Sequence, residues 1–262
     1  MSQIGAAAAA VVAVAALIAA CGGDNESAAN GGERERLIVS AAASLTDALE
    51  ECSKDFSGAD VRLSFAGSDE LAAQIRQGVK PDVFAAANTR LPEELAAEGL
   101  LETPVEFVTN ELVLAVPAAD ANVGSIDALA APGTKLVIGA ESVPVGAYTR
   151  EVLGELPPEQ ERAILANVRS EEPDVKGVVG KIAQGAADAG FVYTTDVTAA
   201  GDDLRAIRLP AELQPTVAYG AGVVEGAEQP ELARRYLDGL TEGACADALQ
   251  AAGFGPPPPA AG

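Results

Sequence analysis

Three polar residues stand where a predicted strand gives way to a predicted helix. They are Ser44, Ser68 and Asp174, and Val175 follows the last of them. We predict that each polar side chain caps the helix behind it. The first backbone N–H groups of a helix have no partner inside it, and the helix dipole adds partial positive charge there. Helix starts that converge on one cleft would therefore bind an anion without any basic side chain.

Other kinds of chemistry are restricted by composition. The 262 residues include no His, which excludes Ser-His-Asp and Cys-His nucleophiles and His-bearing zinc sites. The net charge of −22, from 17 basic and 39 acidic residues, disfavours nucleic acid as a partner. We expect a binding protein without a cofactor and without directly coordinated metal. An enzyme that relies on Asp or Glu alone stays an alternative.

The elements that must position these residues alternate along the chain from residue 37. We predict strands at 37–39, 61–65, 82–86, 112–116, 136–139, 190–193 and 217–224. We predict helices at 44–55, 70–77, 91–98, 149–156, 158–166, 175–184, 231–239 and 244–251. Strands that alternate with helices indicate an α/β fold whose sheets are mostly parallel and flanked by helices.

The N-terminal segment is typical of an export signal. Residues 1–20 carry no charge, and their apolar run is too short for a permanent membrane span. The run ends at Cys21 in a sequence that resembles the lipobox of bacterial lipoproteins, although residues 1–3 lack the usual basic residue. We predict lipidation of Cys21, a flexible tether over 21–36 and anchoring on the extracytoplasmic face of the cell membrane. A simple secretory signal with a chance cysteine is the alternative.

The other two cysteines are Cys52 and Cys245, which lack a Cys-x-x-Cys spacing. In an oxidising compartment they form an even pair, so a disulfide is one prediction and two separate buried thiols are the other. The Pro-rich and Ala-rich residues 256–262 cannot continue a helix and form a predicted tail.

Motifs spread along the chain resemble, in order, those of the molybdate-binding proteins of ABC importers. The N-terminal ones are Ala-Ala-Ala-Ser-Leu-Thr at 41–46, Phe-Ala-Gly-Ser at 65–68 and Pro-Asp-Val-Phe at 81–84. The later ones are Val-Pro-Val-Gly-Ala-Tyr at 143–148, Asp-Val at 174–175, Gly-Phe-Val-Tyr-Thr-Thr-Asp at 190–196, Val-Val-Glu-Gly at 223–226 and Ala-Gly-Phe at 252–254.

The resemblance implies the two-lobed fold of type II periplasmic binding proteins, with an oxyanion in the cleft. One lobe would comprise residues 37–107 and 220–255, and the other residues 108–219, with the chain changing lobes near Phe107 and Tyr219. Cys52 and Cys245 would then share a lobe. The implied ligand residues, which would donate hydrogen bonds from hydroxyls or backbone N–H groups, are Ser44, Ser68, Val145, Val175 and Tyr193.

A shell that contains only donors suits a tetrahedral dianion that carries no proton, because a protonated oxyanion also needs an acceptor. Molybdate, tungstate and sulfate meet this condition, and hydrogen phosphate does not. About seven charge-assisted donors, at about 1.5–3 kcal/mol each, are enough for submicromolar affinity. Asp69 departs from the family pattern, either as a helix-stabilising carboxylate or as a group that points into the cleft. Glu141 and Lys176 are expected to be solvated charges at the rim.

The resemblance therefore predicts a monomeric lipoprotein that captures molybdate or tungstate and passes it to the membrane permease of an ABC importer. A binding protein for another oxyanion such as sulfate is the nearest alternative. An enzyme, or a surface lipoprotein without a ligand, on the same scaffold is the more distant one.

Overall fold

The computed structural model describes residues 35–119 and 121–258, which form two lobes with one five-stranded sheet each. The predicted signal segment, the predicted lipidation site Cys21 and nearly all of the predicted tether lie outside the described residues. Within the described ranges, no helix is long and apolar enough to cross a membrane.

Lobe I contains both ends of the described chain. Its sheet has the strand order β2-β1-β3-β10-β4. Its strands are β1 (Glu35–Ala42), β2 (Ala59–Ala66), β3 (Val83–Ala86), β4 (Val105–Asn110) and β10 (Val217–Val223). Its helices are α1 (Thr46–Ser53), α2 (Ser68–Arg76), α3 (Arg90–Ala97), α8 (Pro230–Thr241) and α9 (Ala244–Ala251), with a short 3-10 helix at Ala43–Leu45.

Lobe II is built from the middle of the chain, and its sheet has the order β7-β6-β8-β5-β9. Its strands are β5 (Leu112–Pro117), β6 (Leu136–Gly139), β7 (Val168–Glu172), β8 (Ala189–Tyr193) and β9 (Leu204–Arg208). Its helices are α4 (Pro144–Gly154), α5 (Pro158–Leu165), α6 (Val175–Ala183) and α7 (Thr194–Ala200). Short 3-10 helices occur at Asp127–Ala130, Gly201–Asp203 and Ala211–Leu213.

One strand in each sheet runs against the other four. In lobe I, β10 is antiparallel to both β3 and β4, whereas β1 is parallel to β2 and β3. In lobe II, β5 is antiparallel to β8 and β9, and β6 is parallel to β7 and β8. The predicted α/β class is confirmed. Each sheet is mixed, because β10 is reversed in lobe I and β5 is reversed in lobe II.

The chain changes sheets between β4 and β5 and again between β9 and β10. The first change takes place at Glu111, and the second takes place between Arg208 and Val217. Phe107 and Tyr219, near which the changes are predicted, lie inside β4 and β10 themselves.

Apolar residues cover both faces of the lobe I sheet. On one face, α1, α8 and α9 pack Leu49, Tyr236 and Leu249 against the strands, and all three are fully buried. On the other face, α2 and α3 pack Leu71 and Leu95 in a separate cluster. Strands buried on both faces consist of nearly continuous apolar residues, which explains why β1 and β3 are recognisable from sequence.

Cys52 of α1 and Cys245 of α9 form a disulfide within lobe I. The bond joins residues separated by 193 positions, so all of lobe II lies between the two cysteines in sequence. Both cysteines are buried.

Four elements are absent from the predicted set: β4, β7, β9 and α7. In β7 the side chains are only half-buried or exposed, and its sequence Val-Arg-Ser-Glu-Glu contains no apolar run. It is an edge strand, so burial does not impose an apolar pattern on it. Helix α7 contains three Thr among seven residues, a composition with low helix propensity.

Candidate binding site

A small cavity lies where the carboxyl ends of strands from both lobes meet. Residues at or directly after the ends of β1, β2 and β3 line it from lobe I, and residues at or after the ends of β6, β7 and β8 line it from lobe II. The lining residues are Ala42, Ala43, Ser44, Ala66, Gly67, Ser68, Ala87, Val143, Pro144, Val145, Asp174, Val175 and Tyr193. The structure thus places all five predicted ligand residues around one cavity.

The cavity is too small for most solutes. Its volume is about 20 Å³, whereas a single water molecule needs roughly 10–15 Å³. A ligand of a few atoms fits this space. A sugar or a peptide does not.

Ser68 is the first residue of α2, and Gly67 is the N-cap. The prediction that the Ser68 side chain caps this helix is therefore wrong. Its hydroxyl oxygen instead accepts a hydrogen bond from the Ala87 backbone N–H at 3.1 Å. Because the oxygen is engaged as an acceptor, the hydroxyl hydrogen is free to donate into the cavity. No side chain caps α2, so its first N–H groups also remain available.

The prediction that Ser44 caps α1 is also wrong. The 3-10 turn at Ala43–Leu45 extends the start of the helix, which makes Leu45 the N-cap of α1. The Ser44 hydroxyl lies 2.9 Å from the hydroxyl of Tyr219 on β10. Ser44 therefore faces the cavity while a buried tyrosine holds it from behind.

Tyr193, at the end of β8, contributes a hydroxyl that is buried and has no hydrogen-bond partner among the described residues. Burial, followed by the neighbouring Tyr219, raises the pKa of Tyr193 well above its usual range. The hydroxyl therefore keeps its proton and is a donor that lacks an acceptor. A buried polar group without a partner is uncommon and indicates a missing ligand or water.

Val145 is the second residue of α4, which begins at Pro144 rather than at the predicted residue 149. Proline in the first turn is typical of a helix start, because its missing N–H has no helical partner in any case. Gly146 allows this start to approach β6, since a Cβ there would lie 1.9 Å from the Ala140 carbonyl oxygen. The close packing brings the first amides of α4 to the cavity.

Val175 is the first residue of α6, and here the predicted cap is confirmed. The Asp174 carboxylate accepts a hydrogen bond from the Gly177 backbone N–H at 2.9 Å. Asp174 is the one acidic residue in the cavity lining, and this bond ties its side chain to its own helix.

Apart from Asp174, the charged side chains near the cavity do not line it. The Lys176 ammonium lies 2.9 Å from the Asp47 carboxylate, which joins α6 of lobe II to α1 of lobe I. The Glu141 side chain is 81% exposed at the rim, 3.7 Å from the Arg150 guanidinium. Asp69 lies in the first turn of α2 outside the lining, and one of its carboxylate oxygens is buried without a partner in the described part of the chain.

Asp196 lies behind the cavity, in the first turn of α7, and is almost fully buried. Its carboxylate accepts the Tyr193 backbone N–H at 3.1 Å and so fixes the end of β8. Burial raises the pKa of Asp196 to about 7, against the opposing effects of Lys176 and this hydrogen bond. Asp47 and Asp174 add to the rise.

The arrangement suits a small anion held by neutral donors. Two serine hydroxyls, one tyrosine hydroxyl and the amides at three helix starts converge, and the lining contains no basic side chain. Residues 35–119 and 121–258 also contain no cluster of three or more His, Cys, Asp or Glu side chains that could hold a metal ion directly.

Comparison with known proteins identifies the family. Residues 37–255 match the family model of the bacterial extracellular solute-binding proteins. The chain belongs to this family. The molybdate-binding protein ModA of Mycobacterium tuberculosis strain H37Rv is 35% identical over 227 residues, which cover 84% of this chain and 85% of that protein. ModA of Haemophilus influenzae is 31% identical over 230 residues, covering 82% and 88%.

The fold of this solute-binding protein is also that of a solved relative. The periplasmic molybdate-binding protein of Azotobacter vinelandii superposes with a TM-score of 0.76 at 23% identity, covering 85% of this chain and all of that one. The resemblance to the molybdate-binding proteins, the type II fold and the absence of an enzymatic role in this family are confirmed. The family acts outside the cytoplasm as the solute-binding component of ABC importers.

Sequence reasoning missed the residues that stand behind the predicted ligand residues. Asn110 and Tyr219 contact each other and reach Ser44 and Thr195 through hydrogen bonds. Asn110 ends a strand that the sequence pattern does not reveal, and an Asn at a strand end is usually only a turn residue. Tyr219 lies in a predicted strand, but nothing in the sequence indicates that its hydroxyl reaches Ser44.

Proposed function

We propose that this protein captures molybdate or tungstate in the cavity between its lobes and delivers the anion to the permease of an ABC importer. The observation that carries the proposal is the Tyr193 hydroxyl. It is a buried donor without an acceptor, and it faces Ser44, Ser68 and three helix starts. A tetrahedral oxyanion supplies the acceptor that each of these donors lacks.

The electrostatics support an anion despite the acidity of the chain. Amides at the starts of α2, α4 and α6 bring partial positive charge to one point. The cavity volume favours an oxyanion of a few atoms over the larger organic solutes that importers also carry. The names of the relatives, molybdate-binding proteins, agree with this choice.

Calorimetric titration with molybdate, tungstate and sulfate tests the proposal. We expect submicromolar dissociation constants for molybdate or tungstate and much weaker binding of sulfate. Ser68→Ala and Tyr193→Phe should each weaken molybdate binding roughly tenfold or more, because each removes a charge-assisted donor worth about 1.5–3 kcal/mol. Sulfate that binds more tightly than molybdate would favour the alternative oxyanion.

Ser53→Ala is a matched control. The Ser53 hydroxyl bonds the Tyr236 hydroxyl at 3.0 Å in the same lobe, but it does not line the cavity. This variant loses a comparable serine–tyrosine bond and should keep the molybdate affinity of the parent.

We also propose that Cys21 carries the lipid that anchors the protein to the membrane. The proposal depends on the apolar run that ends at this cysteine and on the polar segment that follows it. Cys21→Ala should move the protein from the membrane fraction to the soluble fraction, and mass spectrometry of the parent should show an acylated N-terminal cysteine.

A further inference from the structure

We propose that Asn110 and Tyr219 are positioning residues that fix the Ser44 hydroxyl as a donor toward the ligand. By doing so they select an oxyanion without a proton over a protonated one. This inference rests on the proposed function, since it concerns the same cavity.

The direction of the hydrogen bonds is set at Asn110, where the main chain leaves lobe I. The side-chain amide oxygen (Oδ1) of Asn110 accepts the Glu111 backbone N–H at 2.9 Å. A backbone N–H can only donate, so the oxygen of the amide is fixed on this side. The amide nitrogen therefore faces the other way, where it lies 2.9 Å from the Thr195 hydroxyl and 3.4 Å from the Tyr219 hydroxyl.

Tyr219 transmits that direction to Ser44. Its oxygen accepts from the Asn110 amide, so its own hydrogen is directed to the Ser44 oxygen, 2.9 Å away. The ring has little freedom, because it is fully buried and makes edge-to-face contacts with Phe107, Tyr193 and Phe254. Burial raises the pKa of Tyr219 well above its usual range, so the hydroxyl keeps the proton that it donates.

The Ser44 hydroxyl hydrogen can therefore be donated only toward the cavity. Its oxygen is occupied by the Tyr219 donor, and the hydroxyl hydrogen is available to the cavity that Ser44 lines. The Ser68 hydroxyl is oriented in the same way, because its oxygen accepts the Ala87 backbone N–H directly. A backbone N–H therefore orients each serine, directly for Ser68 and through Tyr219 and Asn110 for Ser44, and both hydroxyls can donate to the ligand.

A protonated oxyanion meets a conflict in this site. The one carboxylate in the lining, Asp174, is already engaged as an acceptor by the Gly177 N–H. The hydrogen of hydrogen phosphate would otherwise face donors, and Tyr193 could accept it only by leaving its own buried hydrogen without a partner. Sulfate and hydrogen phosphate are tetrahedral dianions of similar size, so their relative binding reports the effect of the extra proton. At mildly alkaline pH, we expect hydrogen phosphate to compete with molybdate at least about tenfold more weakly than sulfate does.

Asn110→Asp is the most informative variant, because it should reverse the direction of the hydrogen bonds that run from Asn110 through Tyr219 to Ser44. A carboxylate still accepts the Glu111 N–H, but toward Tyr219 it can only accept. The Tyr219 hydrogen would then turn to the carboxylate, the Ser44 hydrogen would turn to Tyr219, and a Ser44 lone pair would face the cavity. The added charge weakens both dianions alike, so the ratio of the sulfate and hydrogen phosphate inhibition constants isolates the change in direction.

We expect that ratio to narrow several-fold in Asn110→Asp, and less in Tyr219→Phe, where the Ser44 hydroxyl loses its imposed direction. Tyr236→Phe is the matched control, because it removes the buried tyrosine hydroxyl that bonds Ser53 away from the cavity, and it should keep the parental ratio. If Asn110→Asp does not fold, the ratio of inhibition constants measured in Tyr219→Phe tests the proposal instead.

The two levels of the hypothesis fail differently. A parent protein that binds none of the oxyanions overturns the proposed function. A parent that binds molybdate, together with an unchanged sulfate-to-phosphate ratio in the folded variants, overturns the role of Asn110 and Tyr219 and leaves the proposed function standing.

Discussion

The carboxyl group of Asp196 is buried, and its effect on stability has a definite sign. Its pKa is about 7 in the folded protein, against 3.8 for an ordinary Asp side chain. The folded state therefore holds a proton that the unfolded state has lost between these values. Its contribution to stability is complete below about pH 4 and declines as the pH rises through about 7.

Asp196→Asn should remove the loss of stability that Asp196 causes as the pH rises. The Asn side chain keeps an acceptor for the Tyr193 N–H and carries no charge to bury. We expect the variant to gain stability relative to the parent as the pH rises from about 5 to about 8, by a few kcal/mol, since one pKa unit corresponds to about 1.4 kcal/mol. The measurement is the unfolding midpoint of both proteins across this range.

The half-buried Asp188 offers a control, because its carboxylate also accepts a backbone N–H, from Lys135 at 2.8 Å. Asp188→Asn measures what the same substitution does to the midpoint at a carboxylate that is only half-buried. A difference between Asp196→Asn and the parent that stays constant with pH would contradict the role assigned to burial of this carboxylate.

The positions of the predicted ligand residues were more accessible from the sequence than their bonding. The family resemblance implies Ser44, Ser68, Val145, Val175 and Tyr193, and all five line the cavity. The capping roles assigned to both serines were wrong, because cap position depends on how the backbone enters the helix. A 3-10 turn before α1 and a glycine before α2 changed that entry.

At the scale of elements, two helix starts face each other across the cavity, and Gly67 lies between them. A Cβ on Gly67 would lie 2.3 Å from the Pro173 carbonyl oxygen and 3.1 Å from a methyl group of Val143, both in lobe II. The backbone of Gly67, with φ −59°, is accessible to any residue. Contact with the opposite lobe, rather than backbone conformation, therefore requires glycine here.

Gly67→Ala should weaken molybdate binding roughly tenfold or more while leaving the ligand-free fold intact. The added methyl group keeps the lobes apart, and overpacking of this kind costs about 1–3 kcal/mol. Calorimetry measures the affinity, and small-angle scattering with and without molybdate measures closure.

Gly239→Ala is the comparison variant, since a Cβ at this position in α8 meets no atom within 4 Å. It should bind like the parent. Parental affinity in Gly67→Ala would show that the lobes need not approach as closely as they do in this structure.

Elements with apolar runs were predictable, and polar ones were not. Strands β3 and β6 are buried throughout, and β1 is buried from Val39 onward, so their apolar sequence reveals them. Strand β4 escaped detection because its burial changes along its length, and α7 because tertiary contacts offset its poor helix propensity. These two elements bring Asn110 and Thr195 together, so the polar network behind Ser44 could not be predicted from the sequence.

At the scale of the whole molecule, the net charge of −22 and the hydrogen-bond donors of the cavity act on different steps of binding. The ligand is held by local donors, whereas its approach is governed by the field of all the charges. We expect the association rate of molybdate to rise between about 10 mM and about 150 mM salt, as the Debye length falls from about 30 Å to about 8 Å. Stopped-flow measurement at a series of chloride concentrations tests this.

A rate that falls with salt would contradict that expectation and would reveal a locally positive field at the cleft mouth. Sucrose at matched viscosity is a suitable control, because it leaves the electrostatic screening unchanged.

The bond between Cys52 and Cys245 makes the chain a covalent ring that contains the whole of lobe II. A protease that cuts once within lobe II opens the ring but cannot release a fragment. The nicked protein therefore migrates as one species on a non-reducing gel and as two after reduction. The disulfide keeps the two fragments covalently linked. Lobe II can therefore be cut at a surface loop, and new termini introduced there, while the protein remains a single covalent molecule.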